Sequence, residues 1–276
     1  MTVESTPEGA ADLPRVSARE RRTLLLSAVE DQGYCTTAEL ARRFGVSEMT
    51  IRRDVAGLVD KGRLRSFHGG VSALSSGEFR GSDYSARAGV AQTVKRAIAR
   101  RACEMIDDGA VVGLDAGSTV AELAELLAVR PIRAHAVTAS LPVISALASA
   151  PHVDVMSLGG NLHSESLSFA GPATLAAIDE LRLGTFFLGA SAFSARGAFC
   201  ANDFDSLTKR KLIEVADRVV LLADATKTTR SAMAKVCDWD AIDVLVTDHA
   251  IDGELPHILD EHGVELVLAD SSSSSN

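Results

Sequence analysis

The strongest constraint on the fold is a regular alternation of short strand-like runs and helical runs between residues 93 and 270. The strand-like runs are rich in Val, Leu, Phe and Thr, and stretches with helical spacing of apolar residues separate them. This alternation predicts an α/β domain with helices packed on a mainly parallel sheet. The predicted strands are 111–115, 134–138, 153–158, 185–190, 219–223, 244–247 and 265–268, and the predicted helices lie near 94–106, 120–127, 142–148, 172–181, 206–216 and 255–261.

Ligands of such sheets bind beyond the carboxyl ends of the strands. The first predicted strand ends at Asp115, and small residues up to Thr119 lead into a helix. Backbone N–H groups, two hydroxyls and a helix N-terminus converge there, as in an anion site, although the Lys and the glycine spacing of a Walker loop are missing. Two further strand ends carry Thr138 with Ser140, and the pair Gly159-Gly160. Each motif alone is more often an ordinary cap or turn, but three at one sheet edge favour a phosphate pocket.

Two lysines elsewhere in this domain fit the same interpretation. Lys209 lies near the start of a predicted helix, and Lys227 follows a predicted strand end that carries Asp224. Either lysine can neutralise a phosphate or hold a sugar hydroxyl. The alternative is a solvated basic helix face, which suits Arg210 and Lys211 better than Lys227. The candidate effector-binding residues are Asp115, Gly117, Ser118, Thr119, Thr138, Ser140, Gly160, Lys209 and Lys227.

Residues 17–72 predict a separate small domain. Capping boxes at Ser17–Glu20 and Thr36–Glu39 start two helices, Gly45 permits a sharp turn, and Ser47 is expected to cap a third helix. A helix, a Gly-containing turn and a second helix form the helix-turn-helix motif, whose second helix enters the major groove of DNA. After Gly62, a short basic segment predicts a β-hairpin wing.

The third helix has an apolar inner face and a polar outer face. Arginine can bind guanine or phosphate, and a hydroxyl near a helix start can hold a phosphate. Two adjacent arginines alone favour a merely solvated face, but the caps, the turn and the wing together favour DNA binding. The expected inner residues are Ile51, Val55 and Leu58, the expected outer ones are Thr50, Arg52, Arg53 and Asp54, and the candidate DNA-binding residues are Ser47, Met49, Thr50, Arg52, Arg53 and, in the wing, Arg65 and His68.

The distribution of charge separates the two parts. Residues 17–72 carry 10 Lys+Arg and 7 Asp+Glu, a balance of +3, whereas residues 73–276 carry 17 and 27, a balance of −10. A basic head on an acidic body favours DNA contact at one end only. Residues 73–92, rich in Ser, Gly and scattered charges, predict a linker to the domain at 93–270, and the ends at 1–16 and 271–276 predict disordered tails.

Other function classes are disfavoured by what the sequence lacks. The four cysteines form no C-x-x-C pair and have no His at zinc spacing, which indicates free thiols in a reducing cytoplasm and no metal site. No apolar run approaches the roughly 20 residues of a membrane span. The amino-terminal residues lack the pattern of a signal peptide. We therefore expect a cytoplasmic protein without a cofactor.

The head and the body both resemble one family. The head motif Val46–Asp54, followed by Gly62-x-Leu64-x-x-x-His68-Gly69-Gly70, is similar to the DeoR-type winged helix-turn-helix. The body is similar to the DeoR sensor domain. The matching motifs there are Asp115-x-Gly117-Ser118-Thr119, Thr138-x-Ser140-Leu141, Leu158-Gly159-Gly160, Gly171, Phe187-Leu188-Gly189, Lys209-Arg210, Asp224-x-x-Lys227 and Thr247-Asp248.

This resemblance implies a fold, a ligand class and a partner. It implies that the head binds operator DNA, and that the body has a Rossmann-like, ribose-5-phosphate-isomerase-like fold with a phosphorylated sugar or related metabolite as effector. Asp205 stands where Glu is frequent in the family, and Ala139 stands where Asn is frequent.

Together these features predict a DNA-binding transcriptional repressor of a carbohydrate-metabolism operon, which a phosphorylated sugar releases from DNA. A homo-oligomer, dimer or tetramer, is expected because one helix reads few base pairs. No catalytic residue is predicted. The alternative is a sugar-phosphate isomerase or deaminase fused to a DNA-binding head, with Asp115 or Asp224 as base and Lys209 as electrostatic partner. A third interpretation is a DNA-binding scaffold with a vestigial pocket.

Overall fold

The computed structural model describes residues 17–32, 34–59, 63–67, 70–73 and 84–269. The chain divides into two compact units, residues 1–78 and residues 79–276. The predicted tails, the turn of the wing and residues 74–83 of the predicted linker lie outside the described residues.

The smaller unit is a helix-turn-helix followed by a small antiparallel sheet. Its elements are α1 Ala18–Gln32, β1 Tyr34–Thr36, α2 Thr37–Phe44, α3 Glu48–Val59, β2 Leu64–Phe67 and β3 Gly70–Ala73. Strands β2 and β3 form the predicted hairpin, and β1 pairs with the other edge of β3 to give the order β1-β3-β2. Strand β1 is not predicted from the sequence because three residues are too few to show alternation.

The caps and the turn of this unit are formed as predicted. The Thr36 side chain accepts from the Glu39 N–H, and the Glu39 carboxylate accepts from the Thr36 N–H at 2.8 Å, which completes the capping box of α2. Gly45 ends α2 with φ +61°, in the left-handed region that favours glycine. The Thr50 N–H donates to Ser47 Oγ at 3.3 Å, so Ser47 caps α3. These contacts fix the entry of α3.

Asp54 is an exception to the predicted faces of α3, because its side chain is buried, with 6% relative exposure. Arg21 Nε of α1 donates to Asp54 Oδ2 at 2.7 Å, and Arg22 Nε lies 3.5 Å from Oδ1. The prediction of an exposed Asp54 is therefore wrong, since the carboxylate ties α3 to α1. The inner face of α3 is as predicted, with Ile51, Val55 and Leu58 buried.

The larger unit is built on a seven-stranded sheet with the order β15-β14-β12-β9-β4-β5-β6, in which every neighbouring pair is parallel. The α/β fold class is thereby confirmed, and each of the seven predicted strands is present within about one residue of its predicted ends. The strands of this unit are β4 Ala110–Leu114, β5 Ala134–Thr138, β6 Val153–Ser157, β7 Asn161–His163, β8 Ser168–Ala170, β9 Thr185–Gly189, β10 Ala192–Ser194, β11 Gly197–Cys200, β12 Val219–Leu222, β13 Ala234–Cys237, β14 Val244–Thr247 and β15 Glu265–Leu268.

Helices cover the sheet, and two short 3-10 segments connect strands. The helices are α4 Tyr84–Ala88, α5 Gln92–Cys103, α6 Ser118–Val129, α7 Leu141–Leu147, α8 Pro172–Asp179, α9 Asp203–Glu214 and α10 Leu255–Glu261, and the 3-10 segments are Ala225–Thr229 and Trp239–Ala241. No helix among the described residues is both long and apolar enough to cross a membrane.

Side chains that alternate along the strands form two cores, one on each face of the sheet. In β9, Phe187 belongs to the core that α5 and α6 cover, whereas Phe186 and Leu188 belong to the core on the other face. Strands buried on both faces are expected when helices cover a parallel sheet on both sides. The sheet is therefore a rigid platform for the loops at its carboxyl edge.

Some elements of this unit are not predicted from the sequence. The hairpin β7–β8 and the small sheet β10-β11-β13 consist of strands of three or four residues, which carry too little periodicity to detect. Helix α4 lies in the segment predicted as a linker without regular structure. The N–H of Tyr84 at its start donates to the Glu165 carbonyl at 2.7 Å, and the half-buried Tyr84 ring packs against the core.

Strand order creates a switch point between β4 and β9. From β4 the chain continues outward to β5 and β6, and it then returns to the other side of β4 to add β9, β12, β14 and β15. The loops after β4 and β9 therefore leave their strands on opposite sides of a crevice, which is where open α/β sheets bind ligands.

Replacing Asp54 with Asn should loosen the smaller unit alone. The amide keeps the shape of the side chain but leaves the Arg21 guanidinium without its carboxylate, at a cost of about 1–3 kcal/mol. Amide hydrogen exchange in α1 and α3 should therefore accelerate about tenfold or more. Fluorescence of Trp239, the single tryptophan and buried in the larger unit, should report an unchanged urea midpoint.

The matched control is Asp107→Asn, which removes an exposed carboxylate of the larger unit. Equal exchange rates in α1 and α3 for the Asp54 and Asp107 variants would show that the buried ion pair does not stabilise the smaller unit.

Candidate functional site

A cavity that is open to solvent lies at the switch point, where β4, β9 and β12 end, and its volume, which includes the solvent-filled mouth, is about 470 Å³. Its wall combines small residues, hydroxyls and cations, with one carboxylate, Asp205. The residues that line it are Arg87, Ala116, Gly117, Ser118, Thr119, Gly189, Ala190, Ser191, Cys200, Ala201, Asp205, Lys209, Leu222 and Lys227. Of the nine predicted effector residues, Gly117, Ser118, Thr119, Lys209 and Lys227 thus meet at one cavity.

The first turn of α6 forms one wall of this cavity. Gly117 is the N-cap of α6, and among the described residues no side chain caps the N–H groups of its first turn. The buried side chains of Ser118 and Thr119 line the cavity beside this uncapped end, and neither hydroxyl bonds to another described residue. Free N–H groups and the positive end of the helix dipole favour an anion at this position.

Asp115 and Lys209 form a buried ion pair beside the cavity: Lys209 lines it, whereas Asp115 lines a smaller neighbouring cavity. Lys209 Nζ donates to Asp115 Oδ2 and to the Gly189 carbonyl at 3.2 Å, and the Gly189 N–H donates to the same Asp115 oxygen at 2.8 Å. Burial alone would lower the pKa of Lys209, but the charge and hydrogen bond of Asp115 together with the influence of Cys200 and Asp205 outweigh it, so the pKa is raised above its usual value. Lys209 therefore stays charged, and its charge is largely compensated by Asp115.

Lys227 carries the charge that the protein does not compensate. Its side chain is 8% exposed and lines the cavity, and among the described residues its ammonium has no hydrogen-bond or ion-pair partner. Burial lowers the pKa of Lys227 to about 8, and the nearby cations Arg230, Arg87 and Lys95 add to this effect. A buried cation without a partner favours an anionic ligand, because an anion would compensate the lost hydration.

Thr138, Ser140 and Gly160 do not line this cavity. The Thr138 hydroxyl donates to the Leu114 carbonyl at 2.6 Å and accepts from the Ser140 N–H, while Ser140 Oγ accepts from the Val143 N–H as the cap of α7. Gly160 has φ +131°, and a Cβ there would lie 2.2 Å from the Thr174 hydroxyl. The structure uses these three residues to hold the loops, and their contact with an effector remains a prediction.

A second cavity of about 240 Å³ adjoins the first, and Asp205 lines both. Its carboxylate accepts from Ser168 Oγ at 2.9 Å and from Asn202 Nδ2 at 3.0 Å. Ser166 Oγ lies 2.7 Å from Ser168 Oγ and extends this network. Such a carboxylate can accept hydrogen bonds from ligand hydroxyls.

Four polar or charged cavity residues, Arg87, Ser191, Cys200 and Asp205, were not predicted as site residues. The sequence contains a signal for the cations near this cavity. Lys95 precedes the apolar residues Ile98 and Ala102 by three and seven positions, so it lies on the inner, apolar face of α5. A lysine on an apolar helix face marks a buried cation. Burial raises the pKa of the Cys200 thiol to about 11, so it stays protonated at neutral pH.

The predicted DNA-binding residues lie at the start and on the outer face of α3. Met49 is 68% exposed, and Arg52 and Arg53 are exposed, with Arg52 only 3.8 Å from Glu48 in a surface ion pair. The hydroxyls of Ser47 and Thr50 lie 3.0 Å apart at the helix start. For the wing, Arg65 falls in β2 with only its backbone described, and His68 lies outside the described residues.

The described residues contain no assembled metal site and no disulfide. Among the described residues, no three His, Cys, Asp or Glu side chains are grouped to hold a metal ion. The four cysteines are free; Cys35, Cys103 and Cys200 are buried, and Cys237 is half-buried.

Two family profiles match the chain in order. The DeoR-like helix-turn-helix domain matches residues 21–77, and the DeoR C-terminal sensor domain matches residues 90–249, which is more than half of the chain. The resemblance inferred from the motifs is thereby confirmed for both parts.

Relatives with assigned names align over nearly their whole length. The putative aga operon transcriptional repressor of Escherichia coli O157:H7 is 30% identical over 90% of this chain and 93% of its own length. The L-fucose operon activator of Haemophilus influenzae is 30% identical over 90% of this chain and 99% of its own length. The glycerol-3-phosphate regulon repressor of Escherichia coli K12 is 30% identical over 90% of this chain and 98% of its own length.

Solved structures align less completely. Ribose 5 phosphate isomerase A from Neisseria gonorrhoeae aligns with 49% of this chain and 52% of its own, at 20% identity and a TM-score of 0.37. Translation initiation factor eIF-2B from Pyrococcus horikoshii OT3 aligns with 83% of this chain and 82% of its own, at 14% identity and a TM-score of 0.40. The fold assignment therefore rests on the strand order and on the family matches. These matches, together with relatives that align from end to end, show that the chain belongs to the DeoR family of transcriptional regulators.

Proposed function

We propose that this protein is a repressor of a carbohydrate-metabolism operon and that a phosphorylated sugar bound in the cavity releases it from operator DNA. The observation that carries the proposal is a cavity with an uncapped helix end and the uncompensated Lys227, in a chain whose other unit presents exposed arginines on α3. The relatives support the pathway class, because their names refer to aga, L-fucose and glycerol-3-phosphate genes. Two of these three are repressors and one is an activator.

The chemistry of the cavity suits a phosphate joined to a polyol. A phosphate can accept hydrogen bonds from the first turn of α6 and from the hydroxyls of Ser118 and Thr119. Lys227 can compensate its negative charge. The rest of the ligand can extend towards Asp205, whose carboxylate accepts hydrogen bonds from hydroxyl groups.

The alternative of an enzyme receives less support from the geometry. Asp115, the candidate base, shares its Oδ2 with Lys209 and the Gly189 N–H, so both partners of the pair are engaged with the protein. Asp224, the other candidate, accepts from the Thr226 hydroxyl and does not line the cavity. Turnover of a sugar phosphate by the purified protein would overturn the proposal of a sensor without catalysis.

The proposal includes an oligomer that acts in the cytoplasm. A single recognition helix contacts too few base pairs for useful specificity, so two or more copies are needed to read an operator. Sedimentation of the purified protein with and without DNA would determine whether a dimer or a tetramer binds.

Arg52→Ala combined with Arg53→Ala should abolish specific DNA binding. The loss of two arginines that can reach guanine or phosphate should weaken affinity by at least about 30-fold, since each contact contributes about 1–3 kcal/mol. Binding can be measured by gel shift on genomic fragments that the wild-type protein selects. Arg96→Ala with Arg182→Ala removes two exposed arginines of the larger unit and is the matched control. Equal affinity for both double variants would refute the assignment of α3.

Ser118→Ala combined with Thr119→Val should remove most of the stabilisation by sugar phosphates. The two hydroxyls bond to no described residue, so their loss should affect the ligand far more than the fold. Thermal shifts with a panel of sugar phosphates measure the effect. Thr93→Val with Ser149→Ala, two exposed hydroxyl positions of the same unit, is the control. A double Ser118/Thr119 variant that sugar phosphates stabilise as strongly as wild type would contradict the assignment of the anion site.

Affinity for a phosphate ester should fall as pH rises through about 8. The pKa of Lys227 is lowered to about 8 in the free protein, so the ammonium is charged below that pH and becomes neutral above it. A phosphate monoester is fully dianionic there, since its second pKa is about 6. Calorimetric titration between pH 7 and pH 9.5 should show this decline in the wild type and a weaker, flat affinity in Lys227→Met. The same slope in both proteins would show that another group titrates.

A further inference from the structure

Helix α4 is the first described element of the larger unit, and it contributes Arg87 to the wall of the cavity. Residues 74–83 alone separate it along the chain from β3, the last strand of the helix-turn-helix unit. One short helix thus carries both a cavity residue and the chain that leads to the DNA-binding unit.

A buried cation of the body bonds to helix α4. Lys95 of α5 is 4% exposed, and its Nζ donates to the Arg87 carbonyl near the end of α4. At the start of α4, the Tyr84 N–H donates to the Glu165 carbonyl. The Tyr84 ring faces α6, as the influence of Glu122 and Glu125 on its hydroxyl indicates. Helix α4 therefore rests on the helix whose first turn forms the anion site.

The side chains around Arg87 carry an excess of positive charge. Lys227 is acted on by Arg230, Arg87 and Lys95, and by one carboxylate, Asp224. Burial lowers the pKa of Lys95 as well, and there Arg87 and Arg230 oppose Asp224 and Glu122. Like charges in a poorly hydrated site repel each other. An anion bound among these cations would attract each of them and so offset their mutual repulsion.

We propose that Arg87 contacts the bound anion together with Lys227, and that helix α4 is the element through which an occupied cavity acts on the segment leading to the DNA-binding unit. The inference rests on the proposed function, because it assumes that the cavity binds a phosphorylated ligand. An anion that bridges Arg87, Lys227 and the first turn of α6 draws α4 onto the body. When the cavity is empty, this bridge is missing and α4 is held less firmly to the body.

This arrangement meets the requirement for a ligand-driven change. A ligand shifts an equilibrium only if it binds one arrangement better than the other. The anion gains the Arg87 contact only when α4 is docked, so it favours the docked state by the strength of that contact. A charge-assisted hydrogen bond of this kind corresponds to about a tenfold or larger change in affinity.

The experiment uses the full-length protein and inorganic phosphate as the probe. Phosphate affinity is measured by calorimetry for the wild type, Arg87→Gln, Arg87→Lys and the control Arg96→Gln, which removes an exposed charge on α5. Amide hydrogen exchange of peptides covering residues 79–92 is then followed with and without phosphate. Glutamine keeps a polar, helix-compatible side chain, so the variant tests charge rather than folding.

Arg87→Gln should weaken phosphate binding about tenfold, Arg87→Lys should restore part of it, and Arg96→Gln should leave it unchanged. In the wild type, phosphate should slow exchange in α4, and this slowing should disappear in Arg87→Gln even when the higher phosphate concentration saturates the site. A role of Arg87 in folding alone would instead speed exchange in the absence of phosphate as well.

Two outcomes would overturn the inference and leave the proposed function standing. One is an unchanged phosphate affinity in Arg87→Gln while Ser118→Ala with Thr119→Val loses binding. The other is phosphate binding that leaves exchange in α4 unchanged in the wild type. If the wild type binds neither inorganic phosphate nor any sugar phosphate, the proposed function itself fails, and the inference fails with it.

Discussion

The buried ion pair between Asp115 and Lys209 is the interaction on which the cavity depends. It joins the end of β4 to α9, and the Gly189 N–H and carbonyl add the end of β9, so three elements meet at one carboxylate and one ammonium. A pair of this kind adds little net stability, but removing one partner costs about 3–5 kcal/mol because the other charge is left buried alone. The pair therefore fixes the ends of β4 and β9 beside the cavity. Because the pair has no net charge, the groups that attract an anion are Lys227, Arg87 and the uncapped end of α6.

Much of this architecture follows from the sequence because buried parallel strands are continuous apolar runs, and the loops that follow them are marked by small residues and hydroxyls. The proposed anion site at Gly117–Thr119 is predictable for that reason. The direction of a hydroxyl is not, as Thr138 and Ser140 show: the same local pattern lines a cavity at one strand end and bonds to the chain itself at another. Local sequence also cannot reveal distant partners.

Asp54 and Arg87 illustrate that second difficulty. Asp54 falls among exposed polar residues of α3 by composition, and only a contact with Arg21, 33 positions earlier, explains its burial. Arg87 lies in a segment with no sustained periodicity, and it becomes part of the site only because α4 packs against α6. Both residues depend on tertiary contacts that neither propensity nor periodicity encodes. The short strands β7, β8, β10, β11 and β13 escape prediction for the simpler reason of length.

In the proposed function, ligand binding in the larger unit controls DNA binding by the smaller unit. The cavity can distinguish anionic from neutral ligands by charge, and α3 presents the arginines that can hold DNA. Regulation requires that the two binding events be energetically coupled, and such coupling is reciprocal: an effector that weakens DNA binding by some factor is itself bound more weakly by that factor when DNA is present. The central claim is therefore a statement about linkage between two sites.

The most direct test measures both sides of that linkage on the same protein. The affinity for the most stabilising sugar phosphate is determined with and without a saturating DNA fragment that the protein selects, and the affinity for that fragment is determined with and without the sugar phosphate. A repressor released by its effector should show the same reduction, by a factor of about 5–150, in both measurements. A sugar-phosphate affinity that is identical in the presence and absence of DNA would contradict the account.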